Sequence, residues 1–396
     1  MAAAGFLLGG QKALGRAELL VLAALASLVG LIGLSMFWSE APGVSLHEAE
    51  RGALYLAGMT AFLLVVGRQG ERSLILALAA SLGAIVSFAT LHGLLFGQNG
   101  GLYSPLAWPI GYANALGILS ALATLLVMGV ASAERGRVRS AAFAALVILP
   151  SGLLLSASRG AWLALACGLV VFCALETRRS RLLATVAAAA VPAAGGAWLA
   201  SGWTRTHDAQ PGRAAALTVL AVVGSMIGPL VADRLDRSRG KATGRIALAG
   251  CLAAVTALIV VAPANPLGEQ RPYYWAVAWH EYQAHPLLGS GAGTFARHWQ
   301  RERPLPLRIR DAHSLYLETL AEVGPLGLLL VVTALGTPLV AARRRRGGMA
   351  TAALPAAYVA FLLHLGIDWD WEMPVVMLTG LACGAALLLG SRVRHD

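Results

Sequence analysis

The chain has 396 residues, of which 57% are hydrophobic and only 13% charged. Soluble domains carry about 25% charged residues and disordered chains are poorer still in apolar ones, so both classes are excluded. The excess of 31 Lys and Arg over 20 Asp and Glu, a net charge of +11, fits basic loops beside membrane spans; no single basic patch for nucleic acid is visible.

Twelve apolar runs near the length that crosses about 30 Å of hydrocarbon are expected to be spans. They lie at 19–37, 53–67, 73–96, 112–131, 140–157, 160–176, 182–201, 214–232, 246–262, 315–342, 352–367 and 374–390. The runs lack barrel-type alternation, so helices are the expected form. The second, sixth and eleventh runs are short. With the N-terminus inside, 21 basic residues flank inner ends of spans and 10 flank outer ends. That bias places both termini in the cytoplasm. Met1 to Leu14 lacks a signal-peptide pattern, and Cys167, Cys173, Cys251 and Cys383 sit in apolar runs as small packing residues. The expectation is an all-α, single polytopic membrane domain over 1–396, with a long extracytoplasmic loop at 263–314.

Candidate residues follow in chain order. His47, Glu48 and Glu50 form a weak acidic cluster in the first outer loop. Trp38, Tyr103, Trp108, Tyr112, Trp198 and Trp203 lie near outer span ends, where aromatic side chains anchor at the interface or stack on sugars. Arg159, in Ser156-Ala-Ser158-Arg159-Gly160, stands at a hydrocarbon boundary. It either snorkels or clamps a phosphate, which guanidinium matches bidentately. The 263–314 loop holds six outer arginines and His280, His285, His298 and His313. Its aromatic content argues for order, and 272–285 reads as an amphipathic surface helix. Arg271 precedes Pro272 at the start of that helix. Beside Arg159 it would offer two cations to a pyrophosphate leaving group. His313 precedes the tenth span and is either structural or a general base near neutral pH. Ser314, Glu318 and Glu322 share one helical stripe, and His313, Tyr316 and Leu320 another. Carboxylates in a span must face a cavity or a partner. Gly324-Pro325 predicts a kink. Asp368, Asp370 and Glu372 in a tight outer turn read as a solvated turn, a divalent-cation site, or carboxylates orienting a sugar or His313.

These segments resemble the O-antigen ligase and polymerase family of bacterial membrane glycosyltransferases. The likeness is carried by Ser158-Arg159-Gly160-Ala161, by Arg271-x-x-x-Trp275 followed by His285-Pro286-Leu-Leu-Gly289-x-Gly291-x-Gly293-x-Phe295, and by Ala312-His313-Ser314-Leu-Tyr316-Leu-x-x-Leu-Ala-Glu322-x-Gly324. The late His364…Asp368 turn and Gly111-Tyr-Ala-Asn114-Ala-Leu add to it. The family often has Asn where Ser314 stands here, which removes a carboxamide but keeps a hydroxyl that donates and accepts.

The resemblance implies a helical glycosyltransferase fold of the C class in the bacterial inner membrane. It implies a donor glycan on undecaprenyl pyrophosphate, a glycan or lipid acceptor, no nucleotide sugar, no cofactor and no metal. It assigns Arg159 and Arg271 to the pyrophosphate and His313 to catalysis, with Ser314, Tyr316, Glu318 and Asp368 on the substrate side. Two rivals stay open. One is a transporter or flippase of lipid-linked sugars, although no internal repeat is visible. The other is a metal-dependent transferase of the same class using Asp368, Asp370 and Glu372.

Overall fold

The computed structural model describes residues 14–69, 71–97, 105–237, 270–343 and 350–391. Those residues are helical with short connections and contain no β-strand. In chain order the helices are α1 (Arg16–Ser35), α2 (Pro42–Gln69), α3 (Glu71–Phe96), α4 (Ala113–Ala133), α5 (Gly136–Leu155), α6 (Arg159–Leu175) and α7 (Arg179–Ser201). There follow a single turn α8 (Trp203–Thr206), then α9 (Pro211–Arg237), α10 (Arg271–Ala284), α11 (Phe295–Glu302), α12 (Leu315–Ala342), α13 (Ala350–Leu365) and α14 (Pro374–Gly390).

Among the described residues seven helices are long and apolar enough to cross a membrane: α1, α3 from Arg72, α4, α5, α7, α9 and α12. Three shorter apolar helices are Arg159–Leu175, Ala352–Leu365 and Pro374–Gly390. This is a multi-pass membrane protein. Eleven of the twelve expected runs fall on helices with ends displaced by a few residues, α2 extending well ahead of its run; the run 246–262 lies outside the described residues. Local chemistry sets several starts. Pro42, Pro211 and Pro374 each stand at a first helical position, where fixed φ and a missing N–H cost nothing. One correction concerns the first outer loop: His47, Glu48 and Glu50 lie on the first turns of α2. The helix begins at Pro42, ahead of its apolar stretch, so hydropathy alone places its start too late.

Compact packing groups the chain into two units. The first comprises Met1–Leu74, Pro266–Arg345 and Leu365–Asp396. In it α1 packs on α2 and α12, α14 on α2 and α12, and α10 on α11 and α12. The second comprises Ile75–Asn265 and Arg346–His364. Its centre is α4, buried continuously from Ala115 to Ser132 and flanked by α5, α6 and α7, while α9 closes on α5 and α7. Arg139 of α5 is buried there, donating to Asp233 of α9 at 2.7 Å and to the Ala131 carbonyl at 3.0 Å. Val219, Met226 and Leu230 of α9 stand outward and exposed, as lipid-facing positions of a span must.

Candidate active site

The geometry begins with a break in α12. Gly324 has φ 73° and ψ −174°, so the helix is interrupted where Gly-Pro predicts. Pro325 has no N–H, which leaves the Ala321 carbonyl without its helical donor. The Ser290 N–H donates to that carbonyl at 3.2 Å, and the Gly291 N–H to the Glu322 carbonyl at 2.8 Å. Glu322 completes the junction: Oε2 accepts from Gly293 N at 2.8 Å and Oε1 from Phe295 N at 3.0 Å. Its partner is therefore the glycine-rich stretch. Gly289 has φ +68°, and a Cβ there would lie 2.2 Å from the Glu322 carbonyl carbon. Only glycine permits both that backbone and that approach.

Above this junction a compact apolar cluster forms from Tyr274, Val277, Ala278, Phe295, Trp299, Ala312 and Ala321. The Trp299 indole N–H donates to the Leu307 carbonyl at 2.8 Å and holds the return strap. The expected helix at 272–285 is present as α10, and its inner face packs on this cluster. The second helix of the loop, α11, had no separate sequence signal beyond its aromatic residues.

Arg271, at the first position of α10, donates from Nη2 to Asp368 Oδ2 at 2.6 Å. The Asp368 side chain is fully buried and its Oδ1 also accepts the Trp369 N–H at 2.9 Å. Three residues beyond Arg271 on the same face, Tyr274 meets His313 with ring centroids 5.1 Å apart. Trp369 also lies close to that imidazole, nearly parallel to it, at 5.9 Å and 24°. So Arg271, His313 and Asp368 come together from three separated segments of the first unit.

His313 has φ 56° and precedes the helix. It is not on a stripe of α12 with Tyr316 and Leu320, as helical spacing implies; the left-handed turn swings it away before Ser314 caps the helix. The Ser314 hydroxyl accepts from Leu317 N at 3.5 Å, the capping role favoured for serine. His313 Nδ1 lies 2.9 Å from the Asp311 carbonyl. A carbonyl only accepts, so Nδ1 carries the proton and Nε2 keeps the lone pair. Burial lowers the imidazole pKa below its usual value, opposed by the nearby Asp368 carboxylate.

The acidic turn divides. Asp368 and Asp370 are fully buried, which corrects the solvated-turn reading. Glu372 instead meets Asp311 and Glu318, with one oxygen from each within 4.8 Å of the others. Among the described residues this grouping, rather than Asp368-x-Asp370-x-Glu372, brings carboxylates close enough to hold a hard cation. Other compensation is present. Arg51 bridges Glu48 and Glu372. Burial pushes Asp311 up to about 7, and burial followed by the Glu48 charge pushes Glu372 up to about 8. Glu318 Oε2 accepts the Ala312 N–H at 2.7 Å, tying α12 to the residue before His313. A pocket beside Trp369 is lined by Glu48, Glu318, Glu322, Trp371 and Glu372 over apolar side chains of α1 and α12.

Arg159 stands in the second unit, half-buried at the first position of α6, behind the capping residue Ser158 whose hydroxyl accepts from Ala161 N at 3.3 Å. His364 is buried at the end of α13 in the same unit. Tyr316 is half-buried on the first turn of α12.

Residues 144–332 match the family model described as O-antigen ligase. Over those residues the chain is similar to the O-antigen ligase family. Arg159, Arg271 and His313 all fall inside the matched residues, and Asp368 and Glu372 lie beyond them. Comparison with curated proteins gives no match.

Proposed function

We propose that the protein is a membrane glycosyltransferase that moves a glycan from undecaprenyl pyrophosphate to an acceptor hydroxyl on the outer face of the bacterial inner membrane, with both termini cytoplasmic. The observation that carries the reading is the O-antigen ligase match, which encloses all three residues expected to act on such a donor. His313 offers an unprotonated Nε2 beside two aromatic rings, with Arg271 and Asp368 in the same group of side chains.

In this reading the acceptor oxygen attacks the anomeric carbon as its proton passes to His313 Nε2. The bond from that carbon to the pyrophosphate oxygen breaks, and the leaving group departs with the electron pair. Arg271 stabilises the charge gathering on it; the same role for Arg159 rests on the family resemblance alone. A single displacement inverts the anomeric centre. Asp368 holds the Arg271 fork, and Ser314, Tyr316 and Glu318 shape the acceptor side. In this reading Arg271 neutralises the leaving group without a metal.

The test is the lipid-linked glycan pool of cells lacking the protein, complemented with wild type or His313→Ala. Accumulated full-length polymer on the carrier identifies a ligase, and accumulated single repeats with long chains lost identify a polymerase. An unchanged pool, or repeats trapped on the inner leaflet, overturns the transferase in favour of a transporter or another role.

A further inference from the structure

The stripe of α10 that carries Arg271 and Tyr274 continues through Ala278 to Glu281, at helical spacings of three and four. Glu281 is buried, and its carboxylate reaches out of its own helix. Oε1 accepts from the Ser290 hydroxyl at 2.5 Å and from the Thr294 hydroxyl at 3.1 Å. Ser290 and Thr294 belong to the glycine-rich stretch that is itself bonded to the broken turn of α12. On α11, His298 Nε2 lies 3.5 Å from Oε1. Glu281 Oε2 and His298 Nε2 are buried with no hydrogen-bond partner among the described residues.

We infer that Glu281 is a positioning residue for the transfer site: it fixes α10 against the glycine-rich stretch, and its protonation state sets how firmly Tyr274 and Arg271 are held at His313. The inference rests on the proposed transferase reading for its kinetic readout only. The groups around Glu281 are Ser290 and Thr294 from the loop, His298 and Glu302 from α11, Glu322 from α12 and Glu40 ahead of α2; His285 and Arg301 lie near His298, and Arg301 is paired with Glu40. Carboxylates dominate, and burial lowers the pKa of His298, so the surroundings favour a neutral Glu281. Burial raises the Glu281 pKa to about 7, opposed by the two hydroxyl bonds. Below that pH the pocket holds a neutral carboxyl. Above it the buried charge has no charged cation paired with it, and its desolvation cost, which outweighs the stronger hydroxyl bonds to the carboxylate, favours opening of the pocket.

The experiment compares wild type, Glu281→Gln and Glu281→Ala in two readouts. One is the transfer rate from a lipid-linked donor at about pH 6 and about pH 8; the other is amide hydrogen exchange over residues 290–298 at the same pH values. Glutamine mimics the neutral carboxyl. The expected result is that E281Q matches wild type near pH 6 and exceeds it several-fold near pH 8, with slower exchange there. E281A is slower than E281Q at both pH values, with faster exchange. A ratio of E281Q to wild type that stays constant across pH in both readouts overturns the inference. A wild type inactive on every lipid-linked donor, with the pH-dependent exchange difference intact, overturns the transferase reading and supports the pH-dependent hold.

Discussion

Arg271 and Asp368 form a pair in which one carboxylate is wholly buried and one guanidinium is still 20% exposed. That asymmetry means Arg271 keeps donors for a ligand while Asp368 serves it. Arg271→Ala is expected to lower transfer by about 10²-fold or more, and to strand a buried charge at a cost of about 3–5 kcal/mol. Single-turnover assays paired with thermal melting in detergent separate the two losses. If R271A melts lower but transfers at the wild-type rate, the clamp role is wrong. Asp368→Asn keeps one acceptor and should fall between R271A and wild type. His313 makes a separate prediction. Its pKa is lowered by burial, so the base becomes available below the ordinary histidine range. The acid limb of the pH–rate profile should therefore turn below about 6.5, and His313→Ala should lose about 10²–10⁴-fold. A limb centred above that value would mean the imidazole is not the base. The sequence identifies Arg271 and His313 by type and place, but not Asp368 as the Arg271 partner, which lies 97 residues away. Nor does it reveal that His313 leaves the helix, because a left-handed φ at histidine has no periodic signature.

Among elements, the break in α12 organises the others. Gly324-Pro325 is legible as a kink because proline removes a donor whatever the context. What replaces that donor is not legible, since Ser290 and Gly291 reach the freed carbonyls from a different helix–loop segment. The same holds for Glu322, whose cost inside a span is readable but whose two backbone partners are not. Gly289→Ala is expected to destabilise the first unit by at least about 1–3 kcal/mol from left-handed strain, with the close contact to Glu322 adding to it. Glu322→Gln turns one acceptor into a donor facing an N–H and should cost about 1–3 kcal/mol. Both should melt early, and both should recover partial transfer at low temperature because neither touches substrate. If both melt normally, the loop is not held on the helix break. The expected helix at 272–285 was readable from aromatic and charged spacing. The helix α11 was not, because eight residues give too short a window for periodicity to settle against a loop.

For the whole molecule, the membrane class follows from composition alone, and most of the helix order follows from run length, because backbone groups in lipid leave the chain few choices. The charge state of the first unit does not follow, since it depends on which carboxylates are brought together. Glu281 and Asp311 are raised to about 7 and Glu372 to about 8, in each case chiefly by burial. A carboxylate whose folded pKa exceeds its unfolded value binds more protons folded than unfolded between the two. Stability is thus fully present below about pH 4.5 for the two glutamates and below about pH 4 for Asp311, and is lost as pH rises toward about 8, by at most about 1.4 kcal/mol per group per pH unit. The melting temperature in detergent should fall across that window, and Glu372→Gln should flatten the fall. The same cluster decides between protons and a cation. A cation among Asp311, Glu318 and Glu372 would hold the carboxylates charged, so the melting temperature near pH 8 would rise with added Ca²⁺ or Mg²⁺ and drop with EDTA. Arg51 already bridges Glu48 and Glu372, and the remaining carboxylates lie where protonation relieves their repulsion. The expected outcome is therefore a melting temperature that follows pH and ignores EDTA, with transfer equally indifferent to the chelator. Loss of transfer in EDTA, restored by a divalent ion, would make the acid cluster a metal centre and displace Arg271 as the principal charge facing the pyrophosphate.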